Sequence, residues 1–162
     1  MSARQSSKGS TLRRILVVNG PNLNLLGQRE PDQYGRATLK EIEDELRRYA
    51  GSHETELRFV QSNHEGALID AIQSAIGWAD ALVVNPAALT HTSVGLRDAI
   101  LAADIPAVEV HVSNIYRRED FRHRSLIADV VAGQITGFGA FSYLLGIQAA
   151  LHLLDTRRSS GA

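Results

Sequence analysis

The sequence has 162 residues, a formal net charge of −1 and no cysteine. It is 44% hydrophobic and 22% charged, which is typical of a globular domain with one core. The near-zero net charge disfavours binding to nucleic acid or to an anionic membrane, and the missing thiols exclude disulfides, thiolate zinc sites and cysteine nucleophiles. Because no apolar run is long enough to span a membrane, we predict a cytoplasmic protein.

Lysine is also rare, since only Lys8 and Lys40 occur among the 17 basic residues. Schiff-base catalysis needs a lysine whose amine is desolvated in a pocket and therefore neutral. Lys8 lies in a stretch rich in serine and glycine, and Lys40 lies at the start of a polar helical segment. Neither position suits an imine, so we do not expect covalent lysine chemistry.

The chain is predicted to form a single domain over residues 13–154. Residues 1–12 are small and polar and are predicted to be a disordered tail, and residues 155–162 are predicted to be a flexible tail. No linker, repeat or low-complexity stretch interrupts the segment between them.

Short apolar runs alternate with amphipathic segments along this domain. Thr38 and Glu41 have the spacing of a capping box, which predicts a helix that ends near Gly51. Apolar periodicity predicts further helices at 68–76, 93–103 and 141–154, and strands at 15–18, 57–60, 81–84, 106–110 and 130–135. Alternating strands and helices predict an α/β fold, a flavodoxin-like three-layer sandwich with a five-stranded parallel sheet.

Polar residues stand where four of the predicted strands end, at Asn19, 61–64, Asn85 and His111. In an open parallel sheet the ligand crevice lies at the carboxyl ends of the strands, so these side chains would converge on one pocket. Each of them alone is better explained as a helix cap or the start of a turn. Four together favour a site.

The connection at residues 20–35 is much longer than the usual ~2–6 residues between strand and helix. It is too apolar for a disordered loop, and Gly20, Gly27 and Gly35 offer hinges, so we predict an active-site lid. It has neither the glycine spacing of a dinucleotide fold nor the Gly-Lys-Ser/Thr of a phosphate loop.

Tyr34 and Arg29 lie in this predicted lid. A tyrosine can act as a base near neutral pH only if a nearby cation stabilises the tyrosinate, and Arg29 is the predicted cation. The alternative for a single loop tyrosine is a packing role.

Glu109 and His111 are two residues apart on a predicted strand, so their side chains leave the same face. A buried carboxylate needs a partner, and an imidazolium beside it would be a good proton donor. A purely structural pair remains the alternative. Metal binding by His91 and His111 is disfavoured because no recognised ligand spacing is present, and we predict no metal.

Together these motifs resemble the type II 3-dehydroquinate dehydratases. The resemblance runs from about residue 14 to residue 152, and four motifs carry it: residues 19–27 with Arg29 and 34–35, then 61–66, 85–93 and 108–114. Residues 118–125 are similar to the segment after the fourth strand of the family. Two departures are Tyr116, where a histidine is expected, and Val112, where isoleucine is more usual.

This resemblance implies an enzyme of the shikimate pathway or of quinate breakdown, a hydro-lyase that converts 3-dehydroquinate to 3-dehydroshikimate through an enolate. Tyr34 would remove a proton beside the ketone with Arg29 supporting the tyrosinate, and Asn22 would position a water that stabilises the enolate. His111, supported by Glu109, would protonate the departing hydroxyl.

The resemblance also implies how the substrate is held. The substrate carboxylate would be bound by Asn85, Ser113 and the backbone N–H of Val112, and ring hydroxyls by His91 and Arg118. Asp98 would reach into the site of a neighbouring subunit, in a homo-oligomer that is a dodecamer built as a tetramer of trimers. No cofactor is implied.

Three other classes fit less well. A flavin or nucleotide module needs a Ser/Thr/Gly cradle after the first strand, where this chain has Pro21, Leu23, Leu25 and Leu26. A phosphoacceptor domain needs acidic residues where Asn19 and Asn85 stand, and a serine hydrolase needs a Gly-x-Ser-x-Gly turn that is missing.

Overall fold

The computed structural model describes residues 12–161, so the predicted N-terminal tail lies almost wholly outside the described residues. The sheet has five strands: β1 (Arg13–Asn19), β2 (Thr55–Gln61), β3 (Ala81–Asn85), β4 (Ala107–His111) and β5 (Gly133–Thr136). The helices are α1 (Pro31–Tyr34), α2 (Leu39–Gly51), α3 (Glu65–Ser74), α4 (Val94–Ala103) and α5 (Phe141–Ser160). Short 3₁₀ turns occur at Leu23–Leu25, Ala87–His91, Ile115–Arg117 and Asp120–Arg122.

All neighbouring strands are parallel, in the order β2-β1-β3-β4-β5. This order is the flavodoxin-like arrangement, and it confirms the predicted fold. The register pairs Asn19 with both Gln61 and Asn85, so the ends of the three strands lie level with one another.

Two apolar layers cover the two faces of the sheet. Alternate residues of β1, such as Ile15 and Val17, pack with α2 and α5, whereas Leu16 and Val18 pack with α3 and α4. A parallel strand buried on both faces must be apolar throughout, which explains the continuous Ile-Leu-Val-Val run. Among residues 12–161 no helix has both the length and the apolarity that crossing a membrane requires.

The predicted capping box at the start of α2 is confirmed, because Thr38 accepts from the Glu41 N–H and Glu41 accepts from the Thr38 N–H. Other predicted boundaries were wrong by a few residues. Ile76 lies beyond α3 and is 54% exposed, and β5 begins only at Gly133.

The closing helix does not end at Leu154 but continues to Ser160, so residues 155–160, predicted as a flexible tail, are helical. Apolar periodicity stops at Leu154, yet nothing breaks the helix before Gly161, and Asp155 forms a 2.8 Å ion pair with Arg13. A polar helical end is invisible to a periodicity argument, since it buries nothing.

Candidate active site

A cavity of about 120 Å³ lies at the carboxyl edge of the sheet, between β3, β4 and the long connection after β1. All predicted site residues except Glu109 and Asp98 line it: Asn22, Arg29, Tyr34, Asn85, His91, His111, Val112, Ser113 and Arg118. This is the position at which an open parallel sheet binds its ligand.

His111 ends β4 and is 5% exposed, and Glu109 stands behind it, fully buried. The Nε2 atom of His111 is 2.7 Å from Oε1 of Glu109, as the two-residue spacing predicted. The other ring nitrogen, Nδ1, has no hydrogen-bond partner among residues 12–161 and is the nitrogen available to the cavity. The pair can therefore present a proton to a bound molecule.

Two hydroxyls hold the Glu109 carboxylate. Ser125 donates to both carboxylate oxygens at 2.9 Å, and Thr90 donates to Oε1. Burial raises the pKa of Glu109, but hydrogen bonding and charge from His111, together with the two hydroxyls, outweigh burial and lower the pKa overall. The carboxylate is thus kept ionised in a dry position.

Sequence reasoning did not identify Thr90 or Ser125 as site residues. Thr90 lies in a 3₁₀ turn and Ser125 in an irregular stretch, so no periodicity marks either of them. Their contacts to Glu109 span 19 and 16 residues of chain, and only the fold brings them together.

Tyr34 ends the four-residue helix α1 and lines the same cavity. Its hydroxyl accepts a hydrogen bond from the guanidinium of Arg118. The guanidinium of Arg29, the cation predicted from sequence, is 6.0 Å from the ring centroid and pairs loosely with Glu30 at 3.8 Å. Arg118, expected to bind substrate hydroxyls, therefore occupies the position that sequence reasoning gave to Arg29.

A buried hydrogen-bond chain lies under the cavity floor. Nδ2 of Asn85 donates to the Tyr143 hydroxyl at 2.8 Å, and that hydroxyl donates to Oδ1 of Asn19 at 2.6 Å. Oδ1 of Asn85 accepts from the Ala87 N–H at 3.1 Å. Burial raises the pKa of Tyr143, so its hydroxyl keeps its proton. Asn19 is thus a supporting residue and does not line the cavity.

The residues after β2 also act behind the cavity and do not line it, contrary to the predicted convergence. Gln61 donates to the Gly20 carbonyl at 3.2 Å, and Oδ1 of Asn63 accepts from the Asn22 N–H at 2.9 Å. Asn22 has φ 67°, a left-handed conformation that this contact helps to hold. The Gln61–Asn63 pair therefore fixes the start of the long connection.

Gly20 is a packing position and not the hinge that was predicted. A Cβ atom there would lie 2.3 Å from the Pro86 carbonyl oxygen, so only glycine allows this approach. Leu23 and Leu26 of the same connection are buried in the core with α2. The first half of the predicted lid at 20–35 is therefore anchored, whereas its second half, residues 28–35, is exposed apart from Tyr34.

His91 lines the cavity with Nδ1 bound to the Arg124 carbonyl at 2.7 Å. Burial lowers the pKa of His91 and outweighs the hydrogen bond to the Arg124 carbonyl, which raises it. Arg122, which sequence reasoning did not single out for the site, also lines the cavity. No group of three or more His, Asp or Glu side chains within residues 12–161 is arranged to hold a metal ion.

Asp98 lies on the exposed face of α4, away from the cavity. The neighbouring Arg97 is bound to Asp129 through both of its terminal guanidinium nitrogens. Among residues 12–161 the Asp98 carboxylate forms no salt bridge. One chain by itself does not bring Asp98 to the site.

Tyr116, one of the two departures from the family pattern, is 57% exposed. Its ring lies 5.8 Å from that of His123, and Nε2 of His123 is hydrogen-bonded to the Arg118 carbonyl at 2.8 Å. Its influence on the site therefore passes through the backbone that carries Arg118.

The comparisons with known proteins identify the family. The model of the family described as dehydroquinase class II matches residues 13–151, which include every predicted site residue. The chain belongs to the class II dehydroquinase family. This assignment confirms the predicted enzyme class, a hydro-lyase.

Individual relatives are similar to this chain over most of their length. The 3-dehydroquinate dehydratase of Acaryochloris marina is 60% identical over 143 residues, 88% of this chain and 96% of the relative. The catabolic 3-dehydroquinase of Penicillium rubens is 51% identical over 134 residues, 83% of this chain and 86% of the relative. The type II dehydroquinase structure from Butyrivibrio crossotus superposes with a TM-score of 0.84 at 43% identity, covering 86% of this chain and 97% of that one.

Proposed function

We propose that this chain dehydrates 3-dehydroquinate to 3-dehydroshikimate by anti elimination through an enolate, with Tyr34 as the base and His111 as the acid. The observation that carries this proposal is the pairing of two proton-transfer groups across one cavity. A tyrosine bound by an arginine and a histidine bound by a glutamate both line it.

In the first step the Tyr34 oxygen takes a proton from the carbon beside the ketone, and the electron pair moves into the enolate. The cationic Arg118 beside the Tyr34 oxygen stabilises the tyrosinate that accepts this proton. The guanidinium of Arg29 adds positive charge 6.0 Å from the centroid of the Tyr34 ring. Asn22, on the cavity wall, would hold a water that donates to the enolate oxygen.

In the second step the enolate collapses, the carbon–hydroxyl bond breaks, and the hydroxyl leaves as water with a proton from His111. Glu109 stabilises the imidazolium before the transfer, and its own charge is held by Ser125 and Thr90. The product is a conjugated enone, and the two proton transfers occur on opposite faces of the substrate ring.

Substrate binding uses the remaining polar lining. Asn85, Ser113 and the backbone N–H of Val112 would bind the carboxylate, because all three lie at the ends of β3 and β4. His91 and Arg118 would bind ring hydroxyls. Arg118 would then serve both substrate and base, which its position beside Tyr34 allows.

The reaction as proposed needs no metal or organic cofactor. Its two proton transfers are supplied by side chains, and the sequence has no cysteine and no well-placed lysine. A chelator is expected to leave kcat unchanged, and borohydride added during turnover is expected to leave no adduct. Mass spectrometry that finds a reduced substrate adduct on Lys8 or Lys40 contradicts this mechanism.

The direct test is a spectrophotometric assay of the purified protein with 3-dehydroquinate, in which the conjugated enone product is followed by its ultraviolet absorbance. Turnover that follows Michaelis–Menten kinetics supports the proposal, and no absorbance change at saturating substrate contradicts it. The same step serves the biosynthesis of aromatic compounds and the breakdown of quinate. Deletion of the gene assigns the pathway, because aromatic auxotrophy indicates biosynthesis and loss of growth on quinate indicates breakdown.

We also propose that the site is completed in a homo-oligomer, a dodecamer built from trimers, with Asp98 reaching the site of a neighbouring subunit. Its exposed carboxylate without an ion pair in the described chain supports this role. The test is complementation between His111→Ala and Asp98→Ala subunits, each of low activity alone. The two variants are mixed in equal amounts, and subunit exchange is verified. About a quarter of the sites in a closed ring then combine an intact His111 with an intact Asp98, so that share of the activity is expected to return. If no activity returns, Asp98 is not part of the shared site.

A further inference from the structure

The hydrogen-bond chain under the cavity floor has a defined direction. The Ala87 N–H can only donate, so the Asn85 atom that faces it must be the carbonyl oxygen Oδ1. The amide nitrogen of Asn85 therefore faces Tyr143, and the Tyr143 oxygen must accept. The Tyr143 proton is then directed to Oδ1 of Asn19. One backbone N–H thus sets the direction of three side chains.

The second N–H of the Asn85 side chain has no partner in this hydrogen-bond chain. Asn85 is 2% exposed and lines the cavity, so this remaining donor is available to a molecule bound there. An asparagine can recognise a carboxylate only through its N–H₂ group, because its oxygen would repel the negative charge. The terminal torsion of asparagine is broad and nearly two-fold, so the side chain alone does not choose between the two orientations.

We propose that Tyr143 is a positioning residue that, together with the Ala87 N–H, holds the amide of Asn85 with its N–H₂ group toward the substrate carboxylate. This inference rests on the proposed function and deepens it. Tyr143 is fully buried and does not line the cavity, so it acts through Asn85 and not on the substrate. The raised pKa of Tyr143 keeps its hydroxyl protonated, and the direction of the chain is preserved over the working pH range.

The neighbouring backbone supports this orientation from the other side. Ala87 has φ 51°, a left-handed conformation that is uncommon for alanine, and its N–H is held by Asn85. The carbonyl of Pro86 is packed against Gly20. The two anchors of the amide, Tyr143 and the Ala87 N–H, are therefore both built into the fold.

The test is Tyr143→Phe, which keeps the ring and removes the hydroxyl. The carboxylate is bound equally in the substrate and in the transition state, so KM is expected to rise about tenfold while kcat stays within about twofold. A matched control is Ser142→Ala in the same helix. It removes a fully buried hydroxyl that accepts a hydrogen bond from the Phe138 N–H and forms none with Asn85. The control is expected to lower the free energy of unfolding but to leave KM unchanged.

A double-mutant cycle separates positioning from general packing. In an Asn85→Ala background, Tyr143→Phe is expected to change KM by less than about twofold, because the residue through which it acts is gone. If Tyr143→Phe does not fold, Asn19→Ala replaces it. This variant removes the acceptor of the Tyr143 proton, and a smaller KM increase of about threefold is expected.

The outcomes distinguish this inference from the function on which it rests. A wild-type protein without activity on 3-dehydroquinate contradicts the proposed function. An active wild type in which Asn85→Ala raises KM, but Tyr143→Phe and Asn19→Ala do not, overturns the positioning role alone. An equal KM increase for Tyr143→Phe with and without Asn85 also overturns it.

Discussion

The two sides of the cavity are built in different ways. On the acid side, Glu109 and His111 belong to a central strand, are almost completely buried and are joined at 2.7 Å. On the base side, Tyr34 ends a four-residue helix that has no buried residue, and its hydroxyl is held by Arg118. One of the two proposed proton-transfer groups is fixed by the sheet, and the other is carried by the exposed half of a long connection.

This difference assigns separate tasks to the two sides. A strand end in the sheet core gives the acid a fixed position and a dry environment, in which the carboxylate and imidazolium interact strongly. A short exposed helix can move aside, and a substrate needs a way into the cavity. Under the proposed mechanism, the buried strand end holds the acid, and the exposed half of the long connection carries the base.

The largest expected effect comes from removing the base. Tyr34→Phe keeps the ring but loses the oxygen that takes the proton, so kcat is expected to fall by at least about 10²-fold with KM largely retained. Steady-state kinetics with 3-dehydroquinate measure both constants.

The control for this experiment is Tyr49→Phe, whose ring stacks on His53 away from the cavity. It is expected to have wild-type kinetics. A Tyr34→Phe protein that keeps more than half of the wild-type kcat ends the assignment of Tyr34 as the base.

On the acid side, Glu109→Gln tests whether kcat depends on the negative charge of Glu109 and not only on the shape of its side chain. Glutamine fills the same space but leaves the imidazolium of His111 without a counter-charge, so kcat is expected to fall about thirtyfold with little change in KM. Kinetics at pH 7 measure the effect. A kcat within about twofold of wild type would mean that Glu109 only fixes the orientation of the ring.

Much of the fold follows from the sequence because its signals are local. The run Ile-Leu-Val-Val of β1 and the Thr38–Glu41 capping box each depend on neighbouring residues, and both were predicted correctly. The end of α5 was not, because residues 155–160 are polar and bury no face from which a periodicity could be recognised.

The candidate site was also predicted only in its local contacts. The contact between Glu109 and His111 follows from strand geometry and was predicted, whereas the cation on Tyr34 was not, since Arg118 is 84 residues away in sequence. Arg29 was chosen because it is close along the chain. Contacts such as those of Ser125 and Tyr143 depend on which elements become neighbours, and no local pattern contains that information.

A smaller effect is expected at Ser125, which donates to both oxygens of Glu109. Burial raises the pKa of Glu109, but His111, Thr90 and Ser125 together lower it below its ordinary value. A carboxyl whose pKa is lowered by folding stabilises the protein above the unfolded-state pKa, near ~4.3, and loses that contribution as the pH falls through the folded-state value. Ser125→Ala is therefore expected to lower the free energy of unfolding by about 1–2 kcal/mol at pH 7.

The pH dependence is what separates this explanation from simple loss of packing. Urea unfolding of wild type and Ser125→Ala at pH 7 and at about pH 3, below the ordinary pKa of a glutamate, gives the difference at each pH, and the difference is expected to shrink at the lower pH. A difference that is the same at both pH values would show that Ser125 does not act through the ionised carboxylate.

The smallest effect is expected at Gly35, which follows α1 with φ 75° and ψ −176°, a backbone region that is essentially restricted to glycine. No atom lies within 4 Å of a Cβ built there, so Gly35→Ala meets no clash and costs only backbone strain, about 1–3 kcal/mol. Because α1 buries no residue, this strain is expected to release the 31–35 segment locally and not to unfold the core.

The midpoint of urea unfolding should then stay at the wild-type value, while kcat/KM falls about threefold to tenfold. Trypsin is expected to cleave faster after the exposed Arg29 and Arg36. A shifted unfolding midpoint with unchanged cleavage would mean that the base side is as firmly built into the fold as the acid side.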